Sequence, residues 1–203
     1  MNSIQNLIKI FSKFPAVGPR AAARFVYYLI KISPAEFNEL AGALNSLRKN
    51  VKICPDCFNP TEQTVCAICS DKTRDASLLC VIEKEADLES IEKTKKYKGC
   101  YFILGGLASL KKNKSGLRLK ELKNKIASGN FKEIIVALNP TPEAETTSLL
   151  LERELKEFNL KITRLGRGLP LGGEMEYADE ETLSSSLERS EEHTSELQSH
   201  HPI

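Results

Sequence analysis

Two hydrophobic patterns divide the sequence near its first quarter. At the start of the chain, apolar residues recur every three or four positions, which places them on one face of a helix. The pattern predicts a first helix over residues 4–14 and a second that begins at Pro19. A third helix is predicted from Ser33, its N-cap, to about Lys49. We therefore predict a helical region over residues 1–50.

Short apolar runs of four to six residues begin after residue 76 and alternate with amphipathic stretches. Such runs are typical of buried strands, and they cover residues 78–82, 101–104, 133–138 and 160–165. Because helical stretches separate them, the order predicts a mainly parallel sheet with helices on its faces. The fold class expected for residues 76–170 is therefore α/β.

Four cysteines lie in the polar stretch between these regions, residues 51–75. They form two C-x-x-C pairs separated by eight residues: Cys54, Cys57, Cys66 and Cys69. Such pairs direct four thiolates into one tetrahedron, and zinc then supplies the folding free energy that a short polar loop lacks. Four cysteines leave no position for a reactive water, so we predict one structural Zn²⁺ per chain. Disulfides are the alternative, but the sequence has no secretion signal to favour them.

The other two cysteines, Cys80 and Cys100, fall within predicted strands. We interpret them as small buried apolar residues, the usual setting of a free cysteine.

The chain has a net charge of +2, but its cations are concentrated at the start. Residues 1–50 contain seven Lys or Arg and two Glu, a distribution typical of proteins that bind a polyanion. The turn before Pro19 resembles a helix-hairpin-helix DNA-binding element, in which backbone N–H groups and nearby cations contact phosphate. The candidate DNA-binding residues are Lys13, Gly18, Arg20 and Arg24. Ala16 stands where the element usually has glycine, and a plain helical hairpin with solvated arginines is the alternative.

Carboxylates follow two of the predicted strands. They are Glu83, Asp87, Glu143 and Glu145, and the segment that carries them resembles the Toprim fold of topoisomerases and primases. In that fold a glutamate after the first strand transfers protons, and an aspartate pair after a later strand holds a divalent metal. Here that later position is Asn139-Pro-Thr-Pro-Glu143-Ala-Glu145 and lacks the aspartate pair. We predict an acidic cluster that binds a partner or a divalent metal.

Residues 189–203 match the translation of a short-read sequencing adapter, so we interpret them as an assembly artefact and omit them from the fold argument. All three histidines, His193, His200 and His201, lie in this tail. The remaining sequence therefore offers no imidazole for a Ser-His-Asp triad or a Cys-His pair.

Taken in order over residues 4–188, the hairpin, the four-cysteine loop, the Toprim-like segment with NPTPEAET and the LPLGGEMEYAD segment resemble the bacterial RecR family of recombination mediators. The resemblance implies a ring-like homo-oligomer, a dimer or tetramer, that binds single-stranded, gapped or double-stranded DNA. It implies partnership with RecO and RecF in loading RecA at single-stranded gaps, without catalysis. It also assigns DNA contact to Arg20 and Arg24, zinc ligation to the four cysteines and assembly to residues 171–188.

Two other functions remain open from the residues. One is a magnesium-dependent Toprim enzyme, a nuclease or primase-like protein that uses Glu83, Glu143 and Glu145. The other is a protein adaptor whose basic helices contact protein instead of DNA. The sequence has no run of about 18 apolar residues, so we expect a cytoplasmic, nucleoid-associated protein without a membrane segment.

Overall fold

The computed structural model describes residues 2–108, 117–166, 180 and 182–184. The adapter-like tail and most of the predicted assembly segment lie outside these residues. Two compact units divide the described chain. The first holds the residues up to Lys52 together with Thr61–Gln63, and the second holds Ile53–Pro60 and the described residues from Thr64 onward.

The first unit contains three helices: α1 (Ser3–Phe11), α2 (Pro19–Lys31) and α3 (Pro34–Asn50). The predicted helical character is confirmed, but the predicted end of the first helix was three residues too late. Beyond Phe11, the amide of Lys13 donates to the Ile10 carbonyl, and the amide of Phe14 donates to the Phe11 carbonyl. These bonds span three residues instead of four, so the chain tightens into a turn before Pro15.

The first unit buries little of its apolar surface. Its fully buried apolar side chains are Ala22 and Val26, both on α2, and no residue of α3 is buried. Large apolar side chains are instead exposed on all three helices and the turn after α1: Ile10, Phe14, Phe25, Tyr27, Tyr28, Ile30, Phe37, Leu40, Leu44 and Leu47. Large apolar side chains exposed in this number are typical of a surface that binds another molecule.

Short elements interrupt the cysteine-bearing stretch. Strands β1 (Lys52–Ile53) and β2 (Pro60–Thr61) pair with each other, and a single helical turn, α4 (Ala67–Ser70), carries the last cysteine. Backbone N–H and C=O groups of this segment thus form hydrogen bonds within it, although it has few apolar residues to bury.

The second unit is built on a four-stranded sheet. The strands are β3 (Asp75–Ile82), β4 (Gly99–Ile103), β5 (Glu133–Ala137) and β6 (Lys161–Arg164), in the order β4-β3-β5-β6. Every pairing is parallel. The accompanying helices are α5 (Glu85–Lys93), α6 (Leu119–Ser128) and α7 (Pro142–Leu155), followed by a 3-10 helix (Lys156–Phe158). The predicted α/β class is confirmed, and each strand overlaps its predicted apolar run.

Side chains of the buried strands alternate between two cores, because successive residues of a strand point to opposite faces. On one face, Leu79 and Val81 pack with residues of α6 and α7. On the other face, Cys80 and Ile82 pack with Leu88 of α5 and with three cysteines of residues 51–75, the predicted zinc-binding loop. The loop cysteines therefore belong to the hydrophobic core of the second unit.

Among the helices that the structure describes, none has both the length and the apolar character needed to cross a bilayer.

Candidate metal centre and nucleic-acid interface

The four sulfur atoms of the C-x-x-C pairs converge. The Sγ atoms of Cys54, Cys57, Cys66 and Cys69 all lie within 4.8 Å of one another, and those of Cys57 and Cys66 are 3.4 Å apart. A zinc ion with Zn–S bonds of about 2.3 Å holds its four sulfurs about 3.8 Å apart. The spacing therefore suits tetrahedral Zn²⁺ with a closed coordination shell.

Backbone amides stabilise the thiolates. The amide of Asn59 donates to Cys57 Sγ, and the amide of Cys66 donates to Cys54 Sγ, each over 3.5 Å. Hydrogen bonding from the Cys69 thiol lowers the pKa of Cys57 to about 5, whereas burial raises the pKa of Cys66 to about 11. Thiols this close do not all ionise without a compensating cation, and Zn²⁺ supplies that charge when bound.

The first knuckle of the zinc-binding loop docks on β4. The amide of Ile103 donates to the carbonyl of Cys57 over 3.0 Å, and the Phe58 ring meets Phe102 edge to face with centroids 5.3 Å apart. The Arg118 guanidinium lies 4.6 Å from the centre of the Phe58 ring and donates to the Ile103 carbonyl over 2.9 Å. Phe58 itself has a positive φ of 68°, a backbone conformation that these contacts hold in place.

Arg118 was not identified from the sequence. It is 60 residues from Phe58 in the chain, and no periodicity or motif joins the two positions. Only the packing of the start of α6 against β4 brings its guanidinium to the knuckle.

The turn between α1 and α2 has the shape predicted for a helical hairpin. The amide of Val17 donates to the Phe14 carbonyl, and Gly18 is the N-cap of α2 in an extended conformation. Ala16, the residue that replaces the usual glycine, has a φ of 60°. This left-handed conformation explains why glycine is favoured there, since the alanine Cβ makes it costly.

The three predicted DNA-binding cations, Lys13, Arg20 and Arg24, are all exposed. Arg20 and Arg24 lie one helical turn apart on α2, and none of the three makes an ion pair with any described residue. Because Pro19 is the first residue of α2, the free donors of its first turn include the amides of Arg20 and Ala21. A Cβ added at Gly18 would have no neighbouring atom within 4 Å, so there is open space beside the N-cap.

The predicted acidic residues lie at the carboxyl ends of β3 and β5, neighbouring parallel strands, but they have different surroundings. The carboxylate of Asp87 accepts a bond from the amide of Lys84 and so caps α5. Arg164 donates to Glu145 over 2.7 Å. Glu143 is exposed on the first turn of α7, and Glu83 is partly buried directly after β3.

The acidic residues do not form a metal-binding group. Among the described residues, the four cysteines are the one set of three or more His, Cys, Asp or Glu side chains close enough to share an ion. The acidic cluster therefore stays a prediction, and its metal-binding form has no support from ligand geometry.

Comparison with known proteins agrees with this arrangement along the chain. Family models match the RecR helix-hairpin-helix over residues 4–48, the RecR four-cysteine zinc finger over 51–71, the Toprim domain over 77–166 and the RecR C-terminal region over 168–189. The Recombination protein RecR of Bifidobacterium animalis subsp. lactis is 44% identical over 188 residues, which cover 92% of this chain and 94% of that protein.

The chain belongs to the RecR family of recombination proteins. The RecR proteins of Thermobifida fusca and Treponema denticola are 40% and 39% identical, each over 92% of this chain and over 94% and 97% of their own length. Membership makes this a protein of recombinational DNA repair. The matched zinc-finger domain contains all four converging cysteines, and the prediction of one structural zinc is thereby confirmed.

Proposed function

We propose that this RecR-family chain is a non-enzymatic, DNA-binding mediator. It acts in the cytoplasm, at the nucleoid, with RecO-like and RecF-like partners, and it promotes loading of RecA at single-stranded gaps. The proposal rests first on the hairpin of the first unit, where Lys13, Arg20 and Arg24 are exposed without carboxylate partners among the described residues, beside the N-terminus of α2.

The hairpin suits the DNA backbone because it combines two features that favour phosphate. Free amides at a helix N-terminus point toward an anion, and the macrodipole favours negative charge there. The cations add a Coulomb attraction that does not depend on base sequence. The open space beside Gly18 allows a phosphate to approach the backbone closely.

The exposed apolar surface of the first unit supports assembly into a homo-oligomer, a dimer or ring-shaped tetramer. On α3, Phe37, Leu40, Leu44 and Leu47 follow the three-four spacing of a helix-packing seam, and each is more than 40% exposed. We assign partner binding to the acidic residues at the carboxyl ends of β3 and β5, of which Glu83 and Glu143 have no ion pair with a described residue.

DNA binding is tested by fluorescence anisotropy with labelled single-stranded and gapped DNA across a salt series. The double variant Arg20→Ala and Arg24→Ala is expected to bind more weakly, with a salt slope smaller by about 0.7 for each lost single-strand phosphate contact. Arg48→Ala with Lys49→Ala removes the same charge from the last turn of α3 and serves as the control. Equal affinity in wild type and in the Arg20 and Arg24 double variant contradicts the proposal.

The magnesium-dependent Toprim enzyme remains the alternative from the sequence, and it makes a different prediction. Its carboxylates would have to bind Mg²⁺, whereas Glu145 is paired with Arg164 and Asp87 caps a helix. The test is incubation of labelled DNA and nucleotides with the zinc-loaded protein and Mg²⁺. Cleavage or nucleotide transfer that Glu83→Gln abolishes would replace the mediator proposal.

A further inference from the structure

Four lysines are crowded at the end of α5 and in the turn that leads from it to β4. Lys93, Lys95, Lys96 and Lys98 occupy four of six consecutive positions, and all four are exposed. We call this segment the lysine turn. Like charges this close repel one another, so the turn gains when an anion from another molecule binds beside it.

Three carboxylates around the lysine turn are engaged by other residues, whereas the exposed Glu89, one helical turn before Lys93 on α5, makes no ion pair with a described residue. Glu92 accepts two bonds from Arg74, at 3.0 and 2.6 Å, and a third from the Tyr101 hydroxyl at 2.7 Å. Asp71 accepts from both the amide and the hydroxyl of Thr73, and Asp75 likewise from Ser77. The charge of Lys98 helps to lower the pKa of Glu92 and of Asp71, but neither carboxylate lies in ion-pair contact with it.

Some lysines of the second unit are paired with carboxylates. Lys123 contacts two glutamates at 3.0 Å, and Lys161 contacts Glu133 at 3.3 Å. In contrast, the amino groups of Lys93, Lys95 and Lys96 make no ion pair or hydrogen bond with any residue that the structure describes. The lysine turn therefore presents positive charge that no ion pair among the described residues neutralises.

Local hydrogen bonds hold the backbone of the lysine turn. The amide of Lys95, which has a φ of 58°, donates to the Glu92 carbonyl, and the amide of Lys96 donates to Thr94 Oγ1. The Tyr97 hydroxyl donates to the Cys100 carbonyl over 3.0 Å. A Cβ at Gly99 would lie 2.6 Å from the Tyr97 ring, so the ring fills the space that glycine leaves. A fixed backbone reduces the ordering cost of binding.

We propose that the lysine turn binds DNA backbone phosphates, as a second contact in a different unit from the helical hairpin. The inference rests on the proposed DNA-binding function and adds a site to it. Lysine amino groups are compact point charges that bind phosphate without demanding one geometry. A polyanion fits four adjacent cations better than a single small anion does, since each bound phosphate releases counterions.

The lysine turn contacts the backbone and not the bases. Tyr97 of the turn and Tyr101 of β4 both contact other parts of the protein. Their rings pack against each other with centroids 5.0 Å apart, and both hydroxyls donate to protein acceptors. No ring of the turn is thus free to stack on a base, which is the usual source of base-dependent affinity for single strands. Binding at this site should be equal for pyrimidine and purine DNA.

The location separates the lysine turn from the acidic residues. Lys98 immediately precedes β4, and Asp75, whose amide donates to the Lys98 carbonyl, begins β3. The turn therefore lies at the amino ends of these parallel strands, whereas Glu83 follows the carboxyl end of β3. Two sites of opposite charge at opposite ends of one sheet allow DNA and a protein partner to bind the second unit together.

The test uses the full zinc-loaded chain and fluorescein-labelled oligothymidine and oligoadenine in anisotropy titrations across a salt series. The double variant Lys95→Gln and Lys96→Gln is compared with Lys120→Gln and Lys156→Gln, which removes the same charge from exposed positions at the start of α6 and after α7. Circular dichroism melting checks that both variants fold. Amine-reactive footprinting of the wild type, with and without DNA, reports protection of each lysine.

The expected result is a several-fold loss of affinity in the lysine-turn variant, equal for both oligonucleotides, with a salt slope smaller by about 1.4 for two lost contacts. The control should retain affinity, and DNA should protect Lys95 and Lys96. Unchanged affinity and slope, with no protection, overturn the lysine-turn site. If the Arg20 and Arg24 variant still loses affinity, the proposed function survives that result; if the wild type binds neither oligonucleotide, both proposals fail.

Discussion

The backbone amide of Ile103 donates to the carbonyl of Cys57, so the zinc-binding loop and β4 share a hydrogen bond. Cys57 also lies in the same buried cluster as Ile82, Tyr101 and Ile103. The metal centre is thus part of the core of the second unit, and loss of zinc should be felt in the sheet.

Zinc removal is expected to expose the Ile103 amide. Without the metal, the four thiols lose the interaction that holds the loop folded, and the carbonyl of Cys57 leaves its donor. Hydrogen exchange before and after treatment with a chelator measures this, with the amides of the inner strand β5 as the internal control. Equal protection of Ile103 in both samples would show that the loop remains docked without zinc.

Acid should weaken the contact between Arg74 and Glu92. Hydrogen bonds from Arg74 lower the pKa of Glu92 below its ordinary value of 4.5. A carboxylate with a lowered pKa in the folded state stabilises the fold above pH 4.5 and loses that contribution as the pH falls through the folded pKa. Glu92→Gln should therefore cost about 1 kcal/mol at neutral pH and less in acid, since the pair is partly exposed.

Urea unfolding at several pH values measures the difference between wild type and Glu92→Gln. Glu89→Gln, an exposed change on the same helix, is the matched control. A difference that stays constant from neutral pH into the acid range would mean that the charge of Glu92 does not contribute.

Ala16→Gly should stabilise the helical hairpin by about 1 kcal/mol, because glycine adopts the φ of 60° without the Cβ penalty. Ala23→Gly, in the middle of α2, should have the opposite effect and cost about 1 kcal/mol. Thermal unfolding followed by helical circular dichroism compares the two. A destabilised Ala16→Gly variant would show that residue 16 is not in the left-handed region.

Gly18→Ala separates folding from DNA contact. Gly18 has a φ of −79° and no neighbour that a Cβ would meet, so alanine should leave the hairpin folded. The added methyl group occupies the space where a phosphate is proposed to approach, and we expect DNA affinity to fall several-fold. Gly42→Ala on α3, also an uncrowded position, is the control for anisotropy and melting. Unchanged affinity in Gly18→Ala would exclude a close phosphate contact at this N-cap.

The features that could be predicted from the sequence are those that depend on a local residue pattern. The strands were found because buried apolar runs persist on both faces, and the metal centre was found because C-x-x-C spacing directs two thiolates together. The end of α1 was misplaced because Phe14 continues the helical spacing, while the hydrogen bonds tighten before it.

Contacts between distant residues could not be predicted. The contact of Arg118 with the Phe58 ring and the ion pair of Arg74 with Glu92 arise from how helices, strands and loops pack. Nothing in a single sequence relates such positions. The capping role of Asp87 was missed for another reason: Lys84, three residues before it, is not the serine or threonine that marks a capping box in a sequence.

The position of β4 at the border of the sheet gives the zinc-binding loop a protective role. A border strand leaves a row of unpaired amides and carbonyls that can recruit a strand from another chain. Cys57 and Phe58 cover this border. The carbonyl of Cys57 accepts a hydrogen bond from the Ile103 amide, and the Phe58 ring packs on Phe102. When zinc is scarce, the uncovered strand should make the protein prone to self-association into aggregates, and metal supply then limits how much protein remains usable.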